Sequence, residues 1–593
     1  MYFLLVFIFL YALFLDKPKG LISRLFISTV IFFGVNTFYF FLSYFFDLVL
    51  NVNVLFFIHL IYSMLWFLLI KKELFKKNKK DLFILNKTDL MLLLATSLTF
   101  LTFYHAALSF NNGKRLPIFS FTQDAANHTL FVKEILASNQ LKATYPLGFH
   151  ANVWLMETLV KNIIGYNNYD QIIFINVFSI FSVFITIVLT GLLYLVVDHL
   201  ISLISDNSNL ILKLLLALLV VYFGMIIPYY FLADGFYSMW FNQIFILTII
   251  FFFINNFEKK KGFVHLLIPL IVGFIYSYIF FIPALLIFFV FLFVINKKKI
   301  YLTPILISFI FSLLTIIKFF QIEDKALWLI SANGAFVDYS VALVLFCFIP
   351  TITYFYLFNK NLIKNNYVLV YMAISFLIFS LLLLLYQLAT TGTAQYSFYK
   401  TFSVVMMIFV VFSIIAIYKL LENIYLKLNF SKSILFLYIV GTIYLFWRIF
   451  PFLSNYNQRS FSQGSYNFFE NNKEKYNAIV FVTENLNNFN QYMYIDQNFS
   501  SSQWGSRLLA INGLNSINSL ASFDQKMDQY LDIVQNLETN DQLLIIDPAR
   551  YLQINCKAEQ FIVAAIDKVN TNNVFFYPYF DFEIWNKNCN LIK

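Results

Sequence analysis

The sequence predicts a polytopic α-helical membrane protein that carries a polar α/β domain at its C-terminus. Of its 593 residues, 60% are hydrophobic and only 12% are charged, a balance that excludes an ordinary soluble globular protein. Long apolar runs fill the chain up to about residue 453, and the remaining tail is polar. Such runs are typical of helices that cross a membrane.

Counting the apolar runs predicts about 14 spans. The first lacks a basic segment and a cleavage site, so we expect a retained span rather than a signal peptide. The stretch 263–296 is flanked by lysine triplets, and two short helices turning near Tyr276–Tyr278 would return the chain to the same side. The predicted spans are 1–15, 22–46, 52–70, 89–109, 171–197, 210–232, 241–256, 263–277, 280–296, 300–320, 340–358, 367–388, 401–420 and 433–453.

The lysine-rich loops predict the topology. Lysines cluster in 71–80, 259–261 and 297–299, which the positive-inside tendency places in the cytoplasm. The net charge of +10 is then an orientation signal rather than a nucleic-acid patch. Loops 110–170, 233–235, 321–339 and 389–400, the tail and both termini follow as extracytoplasmic, in a protein of the cytoplasmic membrane.

Three regions follow from this pattern. Residues 1–87 hold the first spans and a basic cytoplasmic loop, 88–453 form the transmembrane core with the outer loop 110–170, and 454–593 form the extracytoplasmic α/β domain. In the tail, 478–483, 492–495 and 543–547 are typical of buried strands, and 524–537 of a helix. Cys556 and Cys589 could pair if the tail is outside.

The loop 110–170 carries the residues that suggest chemistry. Asp124 and His128 are four positions apart and share a face of an amphipathic helix. Tyr145-Pro146 opens a turn that leads to His150 on a second amphipathic helix, and the turn could bring His150 toward the first pair. A carboxylate at the lipid–water boundary can act as a general base toward a hydroxyl. Alternatively, Asp124 only caps its helix and His128 only lies at the interface.

A divalent metal is a second interpretation of the same residues. Carboxylate and imidazole groups are suitable ligands, so Asp124, His128 and His150 are the candidate set. Their spacing is not diagnostic of any one metal, and the sequence indicates no other cofactor.

Three cations lie at predicted outer ends of spans, against the positive-inside tendency. Lys318, Lys400 and Arg448 could each extend to the interface with no further role. Together they suggest a site for an anion such as a lipid phosphate. Asp234 lies on the same predicted side, where it could contact a substrate or form only a turn before Gly235.

These motifs resemble those of bacterial multi-spanning glycosyltransferases of the GT-C superfamily. The similarity is to a group that carries Asp-x-x-x-His and then Tyr-Pro-x-x-x-His in its first large outer loop, here Asp124/His128 and Tyr145-Pro146/His150. The segment 395–400, aromatic residues ending in Lys400, is similar to one that precedes a late span in some members. The likeness covers about 85–450. Many GT-C enzymes have a second acidic residue beside the first, where this chain has Gln123.

The resemblance implies a GT-C fold, a polyprenyl-phosphate-linked sugar donor and Asp124 as the catalytic base. His128 and His150 would orient the acceptor or the donor phosphate, with Tyr145 and Asp234 also in contact with substrate. Lys400 with Arg448 would hold the phosphate, and Lys318 is a further candidate for substrate binding. The acceptor would be a cell-surface glycan, lipid or protein. The alternatives are a polysaccharide polymerase or ligase, and a lipid-linked glycan flippase or other transporter.

Overall fold

The chain divides into two compact units. Unit 1 comprises Met1–Ala106, Glu134–Leu232 and Phe236–Arg448, and unit 2 comprises Ala107–Lys133, Ala233–Gly235 and Ile449–Lys593. The computed structural model describes residues 3–15, 17–18, 20–74, 84–110, 123–141, 147–165, 171–203, 210, 212–221, 237–255, 257, 262–322, 362–391, 396–428, 491–496, 516–517, 542–547 and 574–576.

Helices account for nearly all of the described part of unit 1. Eight helices in the described ranges are long and apolar enough to cross a membrane, and three shorter ones are also apolar. The protein is therefore a multi-pass helical membrane protein. The helices are α1 Phe3–Phe14, α2 Leu21–Phe45, α3 Val52–Leu74, α4 Lys87–Phe110, α5 Gln123–Ser138, α6 Gly148–Ile164, α7 Gln171–Ser202, α8 Leu212–Val221, α9 Tyr237–Ile254, α10 Phe263–Ser277, α11 Ile282–Asn296, α12 Leu302–Ile322, α13 Leu362–Thr391 and α14 Tyr396–Leu428.

The helices begin and end close to where the apolar runs predict them. The predicted span 22–46 is α2, 52–70 lies within α3, and 263–277 is α10. The predicted spans 340–358 and 433–453 lie outside the described residues. The total of about 14 spans therefore stays a prediction.

Helix α9 is the centre of unit 1. Each of its residues, from Tyr237 to Ile254, is buried, and α2, α6, α7, α10 and α13 pack against it. Gly273 of α10 allows one of these contacts, because a Cβ there would lie 2.5 Å from the Phe245 ring. Small residues at such crossings let two membrane helices approach closely.

Helix α10 lies alongside α2 and runs in the same direction. A Cβ on Gly34 of α2 would lie 2.9 Å from the Pro269 carbonyl oxygen. Further along, the rings of Tyr44 and Tyr276 have centroids 5.5 Å apart. The end of α10 therefore lies at the end of α2, the end that the predicted topology places outside.

The stretch 263–296 folds as the two short helices that the sequence predicts. α10 and α11 are joined by a turn that includes the 3-10 helix Ile279–Phe281. At the other end of the pair, the Phe253 ring of α9 meets Phe263 of α10 at 5.4 Å and Phe289 of α11 at 6.1 Å between centroids. Both ends of the stretch thus return to the same end of the bundle.

A side chain of α4 caps the start of α2, at the end of the bundle opposite Tyr44 and Tyr276. Asp89 Oδ1 accepts hydrogen bonds from the Ser23 backbone N–H at 2.9 Å and from the Ser23 hydroxyl at 2.6 Å. Gly20 leaves room for the carboxylate, because a Cβ there would lie 2.2 Å from both oxygens. The buried Arg24 donates from Nη1 to the Ala12 carbonyl at 3.2 Å. One small cluster thus satisfies backbone groups at the ends of two helices.

A second polar cluster ties α4, α7 and α8 together. Lys213 Nζ lies 3.1 Å from Asp198 Oδ1 and donates to Thr88 Oγ1 at 3.1 Å, while Thr88 donates to Asp198 Oδ2 at 3.0 Å. Each side chain is held by the other two, which fixes the three helices at the predicted inner end.

The described part of unit 2 includes a four-stranded parallel sheet. Its strands are β1 Gln491–Asp496, β2 Ser516–Ile517, β3 Gln542–Asp547 and β4 Val574–Phe576, in the order β2-β1-β3-β4. The predicted strands 492–495 and 543–547 are confirmed as β1 and β3, which pair in register from Gln491↔Gln542 to Asp496↔Asp547. The predicted strand 478–483 and the predicted helix 524–537 lie outside the described residues.

Replacing Asp89 by alanine should destabilise the bundle. The change removes the cap of α2 and the carboxylate nearest Ser23, and loss of a cap costs about 0.5–2 kcal/mol. Thermal unfolding in detergent measures this, with Lys87→Ala, at an exposed position on the same helix turn, as the control. Equal midpoints for the two variants would contradict the capping role.

Candidate functional site

The structure describes four of the eight predicted site residues with their side chains. Tyr145, Asp234 and Arg448 lie outside the described residues. Asp124 lies in the first turn of α5, and its side chain is likewise not among those described. His128, His150, Lys318 and Lys400 can be placed.

His128 lies on α5, the amphipathic helix that the sequence predicts. Its side chain is buried, with 6% exposure, and its ring meets Phe131 edge-on at 6.3 Å between centroids. Asp124 and His128 belong to unit 2, and His150 belongs to unit 1. The predicted convergence of these three side chains therefore stays a prediction.

His150 lies in the first turn of α6, and this helix is buried in the bundle. Phe149 and His150 have no exposed surface. The Phe149 ring stacks on Tyr237 of α9 at 5.3 Å and meets Phe178 of α7 edge-on at 5.6 Å. The apolar residues that predict an amphipathic helix are buried, and so is much of its polar face, including Glu157.

Hydrogen bonds across helices hold α6 at this depth. Asn152 Oδ1 accepts from Asn36 Nδ2 of α2 at 3.0 Å. Asn152 Nδ2 donates to Thr37 Oγ1 at 3.2 Å and to the Gly148 carbonyl at 2.8 Å. Trp154 Nε1 donates to Asn139 Oδ1 at 3.2 Å. These bonds fix the rotation and depth of the helix that carries His150.

The polar chain continues from α2 into the first and third helices. His59 Nε2 lies 2.8 Å from Asn36 Oδ1, and His59 Nδ1 lies 2.7 Å from the Tyr11 hydroxyl. Because the Asn36 oxygen can only accept, Nε2 carries the proton and the Tyr11 hydroxyl donates to Nδ1. Rings of Phe7 and Phe32 stack on the imidazole at 5.1 and 4.8 Å. Helices α1 to α3 thus support the site helix.

The start of α6 meets the end of α10 at a very close contact. A Cβ on Gly148 would lie 2.6 Å from Ser277 Oγ and 3.0 Å from Ser277 Cα. Only glycine allows this approach. Ser277 has no exposed surface, and its hydroxyl has no hydrogen-bond partner in the described part of the chain.

Lys400 lies next to the same helix break. Its Nζ lies 5.6 Å from the centroid of the Tyr278 ring, and its side chain is 8% exposed. The following residue, Thr401, accepts a hydrogen bond from Ser380 of α13 at 2.9 Å. Lys400 therefore lies near the start of α14, beside Tyr278, the residue that follows Ser277.

Lys318 has a different environment. Its Nζ forms a salt bridge of 2.7 Å with Asp47, at the end of α2, and lies 5.9 Å from the Tyr44 ring centroid. The ammonium group thus neutralises a carboxylate of this chain. The proposed phosphate site therefore does not include Lys318.

Four residues around the site were not among the predicted site residues: Ser277, Asn152, Asn36 and His59. Asn36 and His59 are polar residues inside apolar runs, which in a membrane protein are rare and mark packing or function. That signal is present in the sequence. The contact of Ser277 with Gly148 joins residues far apart in the chain, and no local pattern shows it.

The metal interpretation stays a prediction. No group of three or more His, Cys, Asp or Glu side chains that could hold a metal ion occurs in the described part of the chain. The side chain of Asp124, which the predicted set needs, is not in that part.

Replacing Asn36 by leucine should destabilise the protein and loosen α6. The change removes the partner of His59 Nε2 and of Asn152 Oδ1, which are both buried, at a cost of about 1–3 kcal/mol. Hydrogen exchange should rise at the amides of 148–154, and the unfolding midpoint should fall. Asn296→Leu is the control, because among the described residues the Asn296 side chain bonds only to the Leu292 carbonyl of its own helix. The same exchange at 148–154 in both variants would contradict the supporting role of α1 to α3.

No protein-family model matches the chain, and the search of curated proteins gives no significant match.

Proposed function

We propose that the protein is a GT-C-type glycosyltransferase of the cytoplasmic membrane. It uses a polyprenyl-phosphate-linked sugar at the outer face and glycosylates a cell-surface glycan, lipid or protein. The proposal includes a GT-C-like core of about 14 spans and a C-terminal extracytoplasmic α/β domain. The eight apolar helices of membrane-spanning length in the described ranges support the transmembrane core.

The observation that carries the proposal is the placement of Lys400. A cation that is 8% exposed at the end of a membrane helix is costly, and such residues mark functional sites. Lys400 lies beside the break between α10 and α11, and α6 also begins at this break. A lipid phosphate at headgroup depth would meet a positive charge there.

In the proposed reaction, the acceptor oxygen attacks the anomeric carbon of the donor sugar. The bond from that carbon to the phosphate oxygen breaks, and polyprenyl phosphate leaves with the electron pair. Asp124 accepts the proton of the acceptor hydroxyl, while His128, His150, Tyr145 and Asp234 orient the substrates. Lys400 and Arg448 stabilise the negative charge that grows on the leaving phosphate.

A lipid-linked glycan flippase is the second candidate. Helix α10 contains Pro269, and it stops at Ser277 before the short α11 begins. Interrupted helices of this kind also line substrate sites in transporters. Product analysis separates the candidates: a glycosyltransferase adds one sugar, a polymerase or ligase transfers an oligosaccharide, and a flippase leaves every covalent bond intact.

Replacing Lys400 by alanine should weaken donor binding more than acceptor binding. A hydrogen bond to a charged group contributes about 1.5–3 kcal/mol, so we expect the KM for the donor to rise by roughly one to two orders of magnitude. The acceptor hydroxyl is uncharged, and its KM should change little. Saturation curves for both substrates measure the two effects.

Lys298→Ala is the matched control for this variant. It removes the same charge at an exposed position between α11 and α12. If the donor curve of Lys400→Ala coincides with that of Lys298→Ala, Lys400 only extends to the interface and the proposal loses its main support.

Replacing Asp124 by asparagine should abolish transfer while the protein still folds. The amide keeps the shape but cannot accept a proton, and loss of a positioned base lowers the rate by about 10²- to 10⁴-fold. Asp47→Asn makes the same change at an exposed carboxylate and should leave kcat unaltered. Transfer by purified Asp124→Asn at the wild-type rate would show that the base is another residue.

A further inference from the structure

The first turn of α6 presents backbone donors inside the bundle. α6 has 17 residues, and its N-cap residue Leu147 makes no side-chain cap hydrogen bond. The N–H groups of Gly148 and Phe149 have no acceptor within the helix. Gly148 and Phe149 are both buried. The start of a helix carries a partial positive charge, and such ends bind anions.

Ser277 adds an independent observation at the same place. Its hydroxyl lies where a side chain on Gly148 would be, 2.6 Å from that Cβ position. It is fully buried, and none of the described residues forms a hydrogen bond with it. A buried hydroxyl without a partner costs free energy, which a ligand that accepts its hydrogen bond would offset.

The third contribution is the positive charge of Lys400. Its ammonium lies over the ring of Tyr278, the residue after Ser277. The α6 first turn contacts Ser277, and the Lys400 ammonium lies over the ring of the next residue, so all three donors belong to the surroundings of one helix break. All three are donors, and two of them carry full or partial positive charge.

We infer that this break is a phosphate-binding site, formed by the α6 first turn, Ser277 and Lys400. Phosphate oxygens accept hydrogen bonds from backbone N–H, hydroxyl and ammonium groups, and the charge-assisted bonds are the strongest of these. The inference deepens the proposed function by naming where the donor phosphate binds. It requires only that the protein binds a phosphate, whether or not it transfers a sugar.

The surroundings of the break favour a lipid as the source of the phosphate. Ile279 and Phe280 follow Tyr278 directly, and both are partly exposed. They offer an apolar surface beside the polar site, which suits a prenyl chain attached to the phosphate. Free phosphate would use the same donors without this surface.

The test measures binding to the full-length protein in lipid nanodiscs. The probes are a polyprenyl phosphate, the matching polyprenol and inorganic phosphate. Ser277→Ala is compared with Ser308→Ala on α12, which removes a hydroxyl that is also fully buried and without a partner among the described residues. Ser277→Cys is the second variant, because a thiol keeps a similar shape but donates weakly.

Wild type should bind polyprenyl phosphate more tightly than polyprenol. Ser277→Ala and Ser277→Cys should weaken that binding about ten- to a hundredfold, and Ser308→Ala should leave it unchanged. Binding of inorganic phosphate alone, with the same dependence on Ser277, would support the anion site and identify free phosphate as its source.

Other outcomes overturn the inference or separate it from the proposed function. Equal binding by Ser277→Ala and Ser308→Ala, or equal binding of polyprenol and polyprenyl phosphate, would overturn the phosphate site. Sugar transfer that persists with normal donor affinity in Ser277→Ala would overturn the site and leave the function standing. Ser277-dependent phosphate binding without any sugar transfer would support the phosphate site and contradict the proposed glycosyltransferase.

Discussion

The hydrogen bond between Asn36 and Asn152 is the constraint on which the rest of the site depends. It joins two amide side chains in an apolar bundle, at 3.0 Å, and neither amide could be buried there without a partner. Apolar packing alone would leave the buried Asn152 of α6 without the partners that it has on α2. Once Asn152 is held, the first turn of α6 is brought against Ser277, and glycine at 148 becomes a requirement.

The support for this bond reaches the first helix of the chain. Tyr11, His59 and Asn36 form one run of donors and acceptors that ends on α6. The resemblance to GT-C enzymes covers about 85–450 and assigns no role to α1 to α3. In the structure, these helices form the hydrogen bonds that support the position of α6.

Charge pairs fix the ends of the bundle in a similar way. Lys213 and Asp198 join α8 to α7, and Lys419 pairs with Glu422 within α14. At the other end, Lys318 and Asp47 join α12 to α2. The pair with Asp47 accounts for Lys318, one of the three predicted outer cations, without any ligand. The Lys400 ammonium lies over the ring of Tyr278, beside the break between α10 and α11.

Much of the membrane architecture could be predicted from the sequence, because a span needs a long apolar run and such runs can be read directly. The double crossing at 263–296 also followed from the lysines at its two ends. The burial of α6 could not be predicted. Its amphipathic pattern suits a surface position, and only the distant partners Asn36 and Ser277 show that its polar face is covered.

Only part of the candidate site could be predicted from the sequence. His150 and Lys400 were singled out by their unusual positions, and unit 1 contains both. Lys318 gave the same signal, but its partner Asp47 is 271 residues away in the chain. A charge at the end of a span does not by itself show whether it meets a ligand or a carboxylate of the same protein.

The most direct test of the account is a map of the full-length protein with polyprenyl phosphate bound. We expect density for the phosphate at the break between α10 and α11, with oxygens about 3 Å from Ser277 Oγ and from the first-turn N–H groups of α6. The Lys400 ammonium should contact the same phosphate. Density for the phosphate at another place, with the Gly148–Ser277 contact unchanged, would contradict the account.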